Sequence, residues 1–309
     1  MARDFLIAIL LGWLALVLSH GASAETLRIG YTPAASFDGA FIAKDQGFFQ
    51  KHGLDVELQV IALNSNIPAA MVGDSIDIGG TTTTVLLQAV DSGIDLAVLS
   101  GTNLTFQEST NSAIIARTGS GIEKPSDFVG KKVGVPGIGA IVDVMLRQWL
   151  KQRGVDYTAV GYVELPFPQQ PDALKNALVD GVVTVEPTYS RILRGGLGKD
   201  VGHAYSVLPL GTQTILYSAT RQWASAHARA MRDFDEANAE GAAYAEAHPD
   251  EARAAIAKYM KLPPEAAKDI ELPHPSARVT KADIDAVAEI MMQQHMLHGA
   301  IDAAKLLPR

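Results

Sequence analysis

The chain has 309 residues, a net charge of −8 and a sequence pI near 5.5. It contains no cysteine, which excludes a disulfide framework, a thiolate metal site, a cysteine nucleophile and a lipidated N-terminal cysteine. The acidic balance, with no basic stripe, argues against nucleic acid as a partner.

The chain opens with Arg3, an apolar run from Phe5 to Leu18 and the small-x-small site Ala22-Ser23-Ala24. That is the layout of a secretory signal peptide cleaved after Ala24. The run is short for a bilayer, which needs about 20 apolar residues. An exported, soluble product held together by its core is expected. Strand and helix signals then alternate. Leu27 to Tyr31 reads as a strand, and Asp38 to Gln46 as a helix that Asp38 could cap and Gly47 ends. Leu54 to Leu63 alternates apolar and polar residues, as a half-buried strand does. Ile67 to Val72 and Thr83 to Asp91 read as helices, and Ile76 to Gly79, Leu96 to Ser100 and Ser112 to Arg117 as strands. After Lys124-Pro125 the pattern restarts, with strands at Lys132 to Val135 and within Tyr157 to Leu165, then Gly181 to Val185. Helices fall at Ile141 to Arg153 and Asp172 to Leu178, and helix signals dominate from Trp223. Such alternation implies α/β architecture with mostly parallel sheets. Asp77 and Asp180, each between a helix and a buried strand, form a weak internal echo that fits two lobes.

In open parallel sheets, ligands bind beyond the carboxyl ends of the strands. That rule selects the loops Thr32 to Asp38, Gly79 to Thr84, Gly101 to Thr110, Pro136 to Ala140 and Glu186 to Ser190. The second and fourth run straight into helices, whose N-termini can hold an anionic group without a basic side chain. Gly80, Thr81, Thr82 and Thr83 offer close backbone approach and hydroxyls for an oxygen-rich group. Gly137, Ile138, Gly139 and Ala140 offer amides and one apolar side chain, without the full dinucleotide fingerprint. Glu186 follows a buried strand, and its carboxylate is expected at the cleft edge. Phe37, Phe106 and Tyr189 lie in the same set of loops, as does Asp38, and suggest a ligand with an apolar or ring-containing body.

No Gly-x-Ser-x-Gly elbow, His-Glu-x-x-His or P-loop occurs, and no nucleophile is paired with a base. His295 and His298 are spaced to share a face of a C-terminal helix, but no third metal ligand accompanies them. Neither a catalytic site, a metal nor a cofactor is expected.

Several segments resemble the taurine, alkanesulfonate and nitrate solute-binding proteins of ABC importers. They are Leu27-Arg28-Ile29-Gly30-Tyr31; the run Ile42 to Val56 with its Lys44-Asp45-Gln46-Gly47-Phe48-Phe49 core; Gly73-x-x-x-Asp77-Ile78-Gly79-Gly80; Asp127 to Pro136; Glu186-Pro187; and His248-Pro249-Asp250-Glu251-Ala252. The resemblance spans about residues 26 to 262. It implies a two-lobed type II periplasmic-binding-protein fold, with ligand in the interlobe cleft and closure by a hinge. Residues 25–115 and 216–309 would form the first lobe with the C-terminal helices, and residues 116–215 the second. The implied product is a periplasmic monomer that delivers its solute to an ABC permease in the inner membrane.

Sulfonate-binding members usually carry hydroxyls in the second-lobe turn, whereas Ile138-Gly139-Ala140 has none. The expected solute is therefore a small organic acid, a sulfonate or an aromatic or aliphatic carboxylate, rather than a hydrated inorganic anion. The related pyrimidine-precursor synthases, an enzyme alternative on the same fold, rely on clustered cysteines absent here. A ligand-sensing module serving a separate sensor is the third reading.

Overall fold

A computed structural model describes residues 26–106 and 112–307. The expected signal peptide, residues 1–24, lies outside the described residues, as do residues 107–111 of the Gly101 to Thr110 loop. Among the described residues no helix is long and apolar enough to cross a membrane.

The elements run in the order β1 (Thr26–Tyr31), α1 (Asp38–Asp45), α2 (Phe48–Lys51), β2 (Asp55–Val60), α3 (Ile67–Val72), β3 (Ile78–Thr82), α4 (Thr83–Asp91), β4 (Leu96–Gly101) and β5 (Asn103–Leu104). There follow β6 (Ala113–Arg117), β7 (Lys132–Val135), α5 (Ile141–Gln152), β8 (Gly161–Glu164), α6 (Gln170–Lys175), β9 (Gly181–Thr184), α7 (Thr188–Arg194) and β10 (Gly198–His203). The remainder is β11 (Ile215–Thr220), α8 (Arg221–Ala226), α9 (Ala228–Ala247), α10 (Pro249–Tyr259), α11 (Pro264–Ala267), β12 (His274–Pro275) and α12 (Lys281–Gln293).

Two five-stranded sheets result, ordered β2-β1-β3-β11-β4 and β10-β6-β9-β7-β8. In each, three parallel strands lie beside an antiparallel pair. Read from the parallel edge, the second sheet repeats the first. The strand that completes each pattern comes from the crossings: β6 as the chain enters the second sheet, β11 as it returns to the first. Each sheet with its helices is one body.

The echo around Asp77 and Asp180 has a structural counterpart. Asp77 accepts the backbone N–H of Arg28 at 2.7 Å and pairs with its guanidinium. Asp180 accepts the backbone N–H of Lys132 at 3.0 Å and pairs with the guanidinium of Arg117. Each aspartate thus fastens the start of the central parallel strand in its own sheet.

Packing follows the alternation of the sequence. Val56 of β2 is buried while its neighbours Asp55 and Glu57 are exposed, and β3, flanked on both sides, is buried throughout. The main core joins Ile29, Ile78 and Leu86 of the first body to Val133, Leu146 and Trp149 of the second. Each such side chain contributes roughly 1.5–3 kcal/mol of burial. Helix α9 crosses α1 closely because Gly241 has no Cβ. One placed there would sit 2.2 Å from the oxygen of Gly39.

The two crossings lie side by side. Thr105 N–H donates to the Thr212 oxygen at 3.0 Å, Thr212 N–H to the Thr105 hydroxyl at 3.0 Å, and Ala204 N–H to the Ser112 oxygen at 2.9 Å. The C-terminal segment also touches both bodies: α12 packs on α4 and α5, and Gln294 Nε2 donates to the Val144 oxygen at 3.0 Å. Helix α12 ends at Gln293, so His295 and His298 lie beyond it rather than on a helical face. His298 Nδ1 instead meets the Asp91 carboxylate at 2.7 Å.

Candidate ligand-binding site

A cavity of about 30 Å³ lies between the bodies at the carboxyl ends of the parallel strands. Its first wall comes from the first body and carries the polar side chains Thr32, Ser36, Asn64 and Thr82 beside Ala34 and Phe37, although most of the surface facing the cavity is apolar. Asn64 organises it: Nδ2 donates to the Thr32 hydroxyl at 2.9 Å and to the Gly80 oxygen at 3.0 Å, and Oδ1 accepts the Thr82 N–H at 2.8 Å. These bonds fix the amide's orientation. The Thr32 oxygen accepts from Asn64, so its own proton is free to be donated elsewhere. Thr82 Oγ1 lies 3.2 Å from Thr84 Oγ1, and Ser36 adds a third hydroxyl to the wall.

Phe37 completes this wall. Its ring packs against Tyr31 and Tyr217, with centroids 5.8 and 6.0 Å away. It lies so close to β3 that a Cβ on Gly80 would come within 2.3 Å of Cε1. Only glycine permits that approach.

The second wall is apolar. Pro136, Ala140, Ile141, Val142, Phe167 and Val185 line it, and Tyr205 and Ile215 close the side next to the crossings. Helices α4 and α5 both start at the cavity, and neither N-cap residue, Thr82 or Ala140, caps its helix with a side-chain hydrogen bond. The two helix starts give the cavity a partial positive character. Among the described residues, none that lines the cavity carries a charge.

Of the residues expected at the site, Phe37, Thr82 and Ala140 line this cavity. Gly80 acts from beneath, by making room for Phe37. The others are placed elsewhere. Thr81 hydrogen-bonds the Leu216 oxygen and the Ser218 hydroxyl, and Thr83 the Gln213 oxygen, so both hydroxyls serve β11 and its approach. Period-two alternation turns Thr82 alone toward the cavity. Gly137, Ile138 and Gly139 do not line the cavity; the two glycines are buried, near Ser65 and Gln88. Ile138 is half exposed and its N–H donates to Glu164, while Gly139 N–H donates to Asp143. Phe106 packs edge-on against His274 at 4.1 Å, near β5 and β12.

Tyr189 faces away from the cavity. It packs on the small second core around Ile115 and Ile192, and its hydroxyl meets Asp200. Burial, with Asp200 beside it, pushes that phenol up to about 12.

Asp38 and Glu186 differ most from expectation. Asp38 is the first residue of α1 rather than its cap. It is buried behind the wall, with Oδ1 accepting the Gly39 N–H at 2.8 Å. Burial away from any cation pushes its carboxyl up to about 8. Glu186 is 1% exposed and turned from the cavity. Its carboxylate accepts the Ser190 hydroxyl at 2.7 Å, the Ser190 N–H at 3.3 Å and the Glu271 N–H at 3.3 Å. Burial raises its pKa, and these donors oppose the rise.

Asn64, Ser36, Phe167 and Tyr205 also line the cavity, and the sequence alone does not mark them. Ser36 lay inside a selected loop and Phe167 inside a proline-rich stretch, but no residue-level signal distinguished either. Asn64 lies in the turn after β2, and its orientation depends on β3 packing alongside.

Two mixed α/β bodies, joined by paired crossings, lie around a cavity at their strand ends, which is the periplasmic-binding-protein fold. Residues 34–252 match the family described as NMT1/THI5 like, and the chain belongs to that family. Comparison with curated proteins gives no match. Solved structures share the fold. The alkanesulfonate-binding protein SsuA from Xanthomonas axonopodis pv. citri, bound to MOPS, superposes with a TM-score of 0.80 at 19% identity, over 94% of this chain and 100% of that one. The periplasmic aliphatic sulphonate binding protein SsuA from Escherichia coli gives 0.73 at 21% identity, over 92% and 97%. The periplasmic nitrate-binding protein NrtA from Synechocystis PCC 6803 gives 0.79 at 15% identity, over 92% and 86%.

Proposed function

We propose that this protein is the exported solute-binding component of an ABC importer, and that its solute is a small organic acid. A sulfonate or carboxylate head would sit on the hydroxyls of Thr32, Ser36 and Thr82 and the starts of α4 and α5. An aliphatic or aromatic body would lie against Phe37, Phe167, Val185 and Tyr205. The chemistry is capture, not conversion, followed by delivery to a permease.

The observation that carries this reading is the asymmetry of the cavity. One wall carries the hydroxyls and the start of α4, the other is apolar apart from the start of α5, and none of the described lining residues is charged. Helix dipoles and hydroxyls can hold an anionic head without a cation, and the apolar wall rewards a carbon body at about 25 cal/mol per Å² buried. Inorganic anions gain nothing from that wall. A cavity of about 30 Å³ has room for one or two waters, so a solute of this kind needs the bodies to part to admit it and the walls to stand further apart around it than they do here.

A thermal-shift screen of the protein from Glu25 onward tests the proposal. The panel should hold alkyl and aromatic sulfonates, aliphatic and aromatic carboxylates, nitrate, sulfate and pyrimidines. A solute at 100 times its Kd adds about 2.7 kcal/mol, which raises Tm by several degrees at this chain length. Shifts with organic acids support the assignment. Shifts with nitrate or sulfate alone would contradict it, and a shift with pyrimidines alone would favour the pyrimidine-precursor reading.

A further inference from the structure

Glu186 was expected at the cleft edge, and besides its bonds to Ser190 it also reaches the other body. Its main-chain oxygen accepts the Ala35 N–H at 3.0 Å. Its carboxylate accepts the Glu271 N–H at 3.3 Å and is held in place by Ser190. Ala35 belongs to the loop after β1, in the first body. Glu271 belongs to the segment after α11, which Arg253 of α10 anchors by donating to the Ile270 oxygen at 3.3 Å. Helix α10 packs on α1, so this segment too is carried by the first body. Arg194 of α7 reinforces the contact through the Ala266 oxygen at 3.1 Å and Asp269 at 3.3 Å.

We propose that Glu186 is the closure strut of this protein: a positioning residue whose two bonds to the first body hold the closed form together and populate it without solute. One end of the strut lies at the cavity wall. Ala34 and Ser36, which flank Ala35, line the cavity, as does Val185, which precedes Glu186. A solute seated there presses on both partners of the Ala35–Glu186 bond. Occupancy and closure are then coupled through one residue pair, a coupling that rests on the functional reading given above. The strut itself does not.

The absence of cysteine allows the distance between the bodies to be measured directly. Glu57→Cys and Lys175→Cys, both at exposed positions on different bodies, would carry a donor–acceptor dye pair, read by single-molecule energy transfer with no solute added. The doubly labelled parent is expected to show a short-distance population. Glu186→Ala should cut its ratio to the long-distance population at least about fivefold, the worth of one net hydrogen bond. Glu186→Gln, which keeps an acceptor for the Glu271 N–H, should restore most of it. Ala35→Pro removes the other donor. Ala35 opens a short helical turn and Ala34 before it is extended, so the backbone angles suit proline, while the ring carbon that replaces the N–H presses on the Glu186 oxygen and pushes the bodies apart. It should shift the ratio in the same direction even if Glu186→Ala does not fold.

A folded Glu186→Ala or Ala35→Pro variant with the parental distribution would overturn the proposal. So would a parent with a single long distance. The solute screen can fail without affecting this result, and this result can fail without affecting the screen.

Discussion

The N–H of Ala35 donates to the main-chain oxygen of Glu186 across the cleft at 3.0 Å, so the walls of the cavity are in direct backbone contact. Residues beside both partners line the cavity, and small changes there should be felt in binding and in closure together.

Asn64 is the first test of the polar wall. Asn64→Ala leaves the buried Thr82 N–H and Gly80 oxygen without their side-chain partner. The expected cost is about 2–4 kcal/mol, a fall in Tm of roughly 5–10 °C. Solute affinity should drop at least about tenfold, because Thr32 and Thr82 lose their spacing. Melting curves and titrations of the same preparation check both.

Gly80→Ala probes the support of Phe37. The added methyl meets the ring at 2.3 Å and must displace it into the cavity or distort β3. Overpacking of this kind costs about 1–3 kcal/mol. Near-parental stability and affinity would show that Phe37 has room to move.

Tyr189→Phe separates the two sides of α7. The hydroxyl meets Asp200 rather than the cavity, so affinity should stay within about twofold. Stability should fall by about 0.5–1 kcal/mol at most. A large loss of affinity would return Tyr189 to the binding site.

The pH dependence of stability should carry the signature of Asp38. Its folded pKa, about 8, lies above its ordinary value of 3.8 because burial disfavours the charged form. The folded state therefore binds the proton more tightly, and this group's contribution is full below pH 4. It is lost as pH rises through 8. Asp38→Asn keeps an acceptor for the Gly39 N–H and removes the ionisation. It should flatten the decline between pH 5 and 8 and raise Tm by a few degrees at pH 8. A Tm profile parallel to the parent's would show that Asp38 ionises freely.

Much of the fold could be read from hydrophobic periodicity. Helices Ile67–Val72 and Thr83–Asp91 and strand Lys132–Val135 fall where the sequence puts them, because local pattern and burial agree there. Three of the five loops chosen by the strand-end rule, Thr32 to Asp38, Gly79 to Thr84 and Pro136 to Ala140, supply lining residues, whereas Gly101 to Thr110 and Glu186 to Ser190 supply none among the described residues, so the set of loops was legible only in part. Which side chain of each loop enters the cavity was not. Thr81, Thr82 and Thr83 are chemically alike, and only their alternation along β3 and its pairing with β11 separates them. Glu186 depends on a segment some 85 residues further on, whose packing no local pattern encodes. Asn64 enters from the turn after the parallel strand β2 and Tyr205 from the turn after β10, two strand ends outside the selected loops.

The central claim is that an organic acid is enclosed between the polar and apolar walls. Titration calorimetry of the strongest screening hit against the parent protein, Thr82→Val and Ala140→Leu tests it most directly. Thr82→Val removes a hydroxyl from the first wall, and Ala140→Leu fills the cavity from the second. The account predicts saturable one-to-one binding to the parent, at least about tenfold weaker with Thr82→Val and abolished with Ala140→Leu while both variants remain folded. Parental affinity in both variants would place the solute elsewhere and contradict the account.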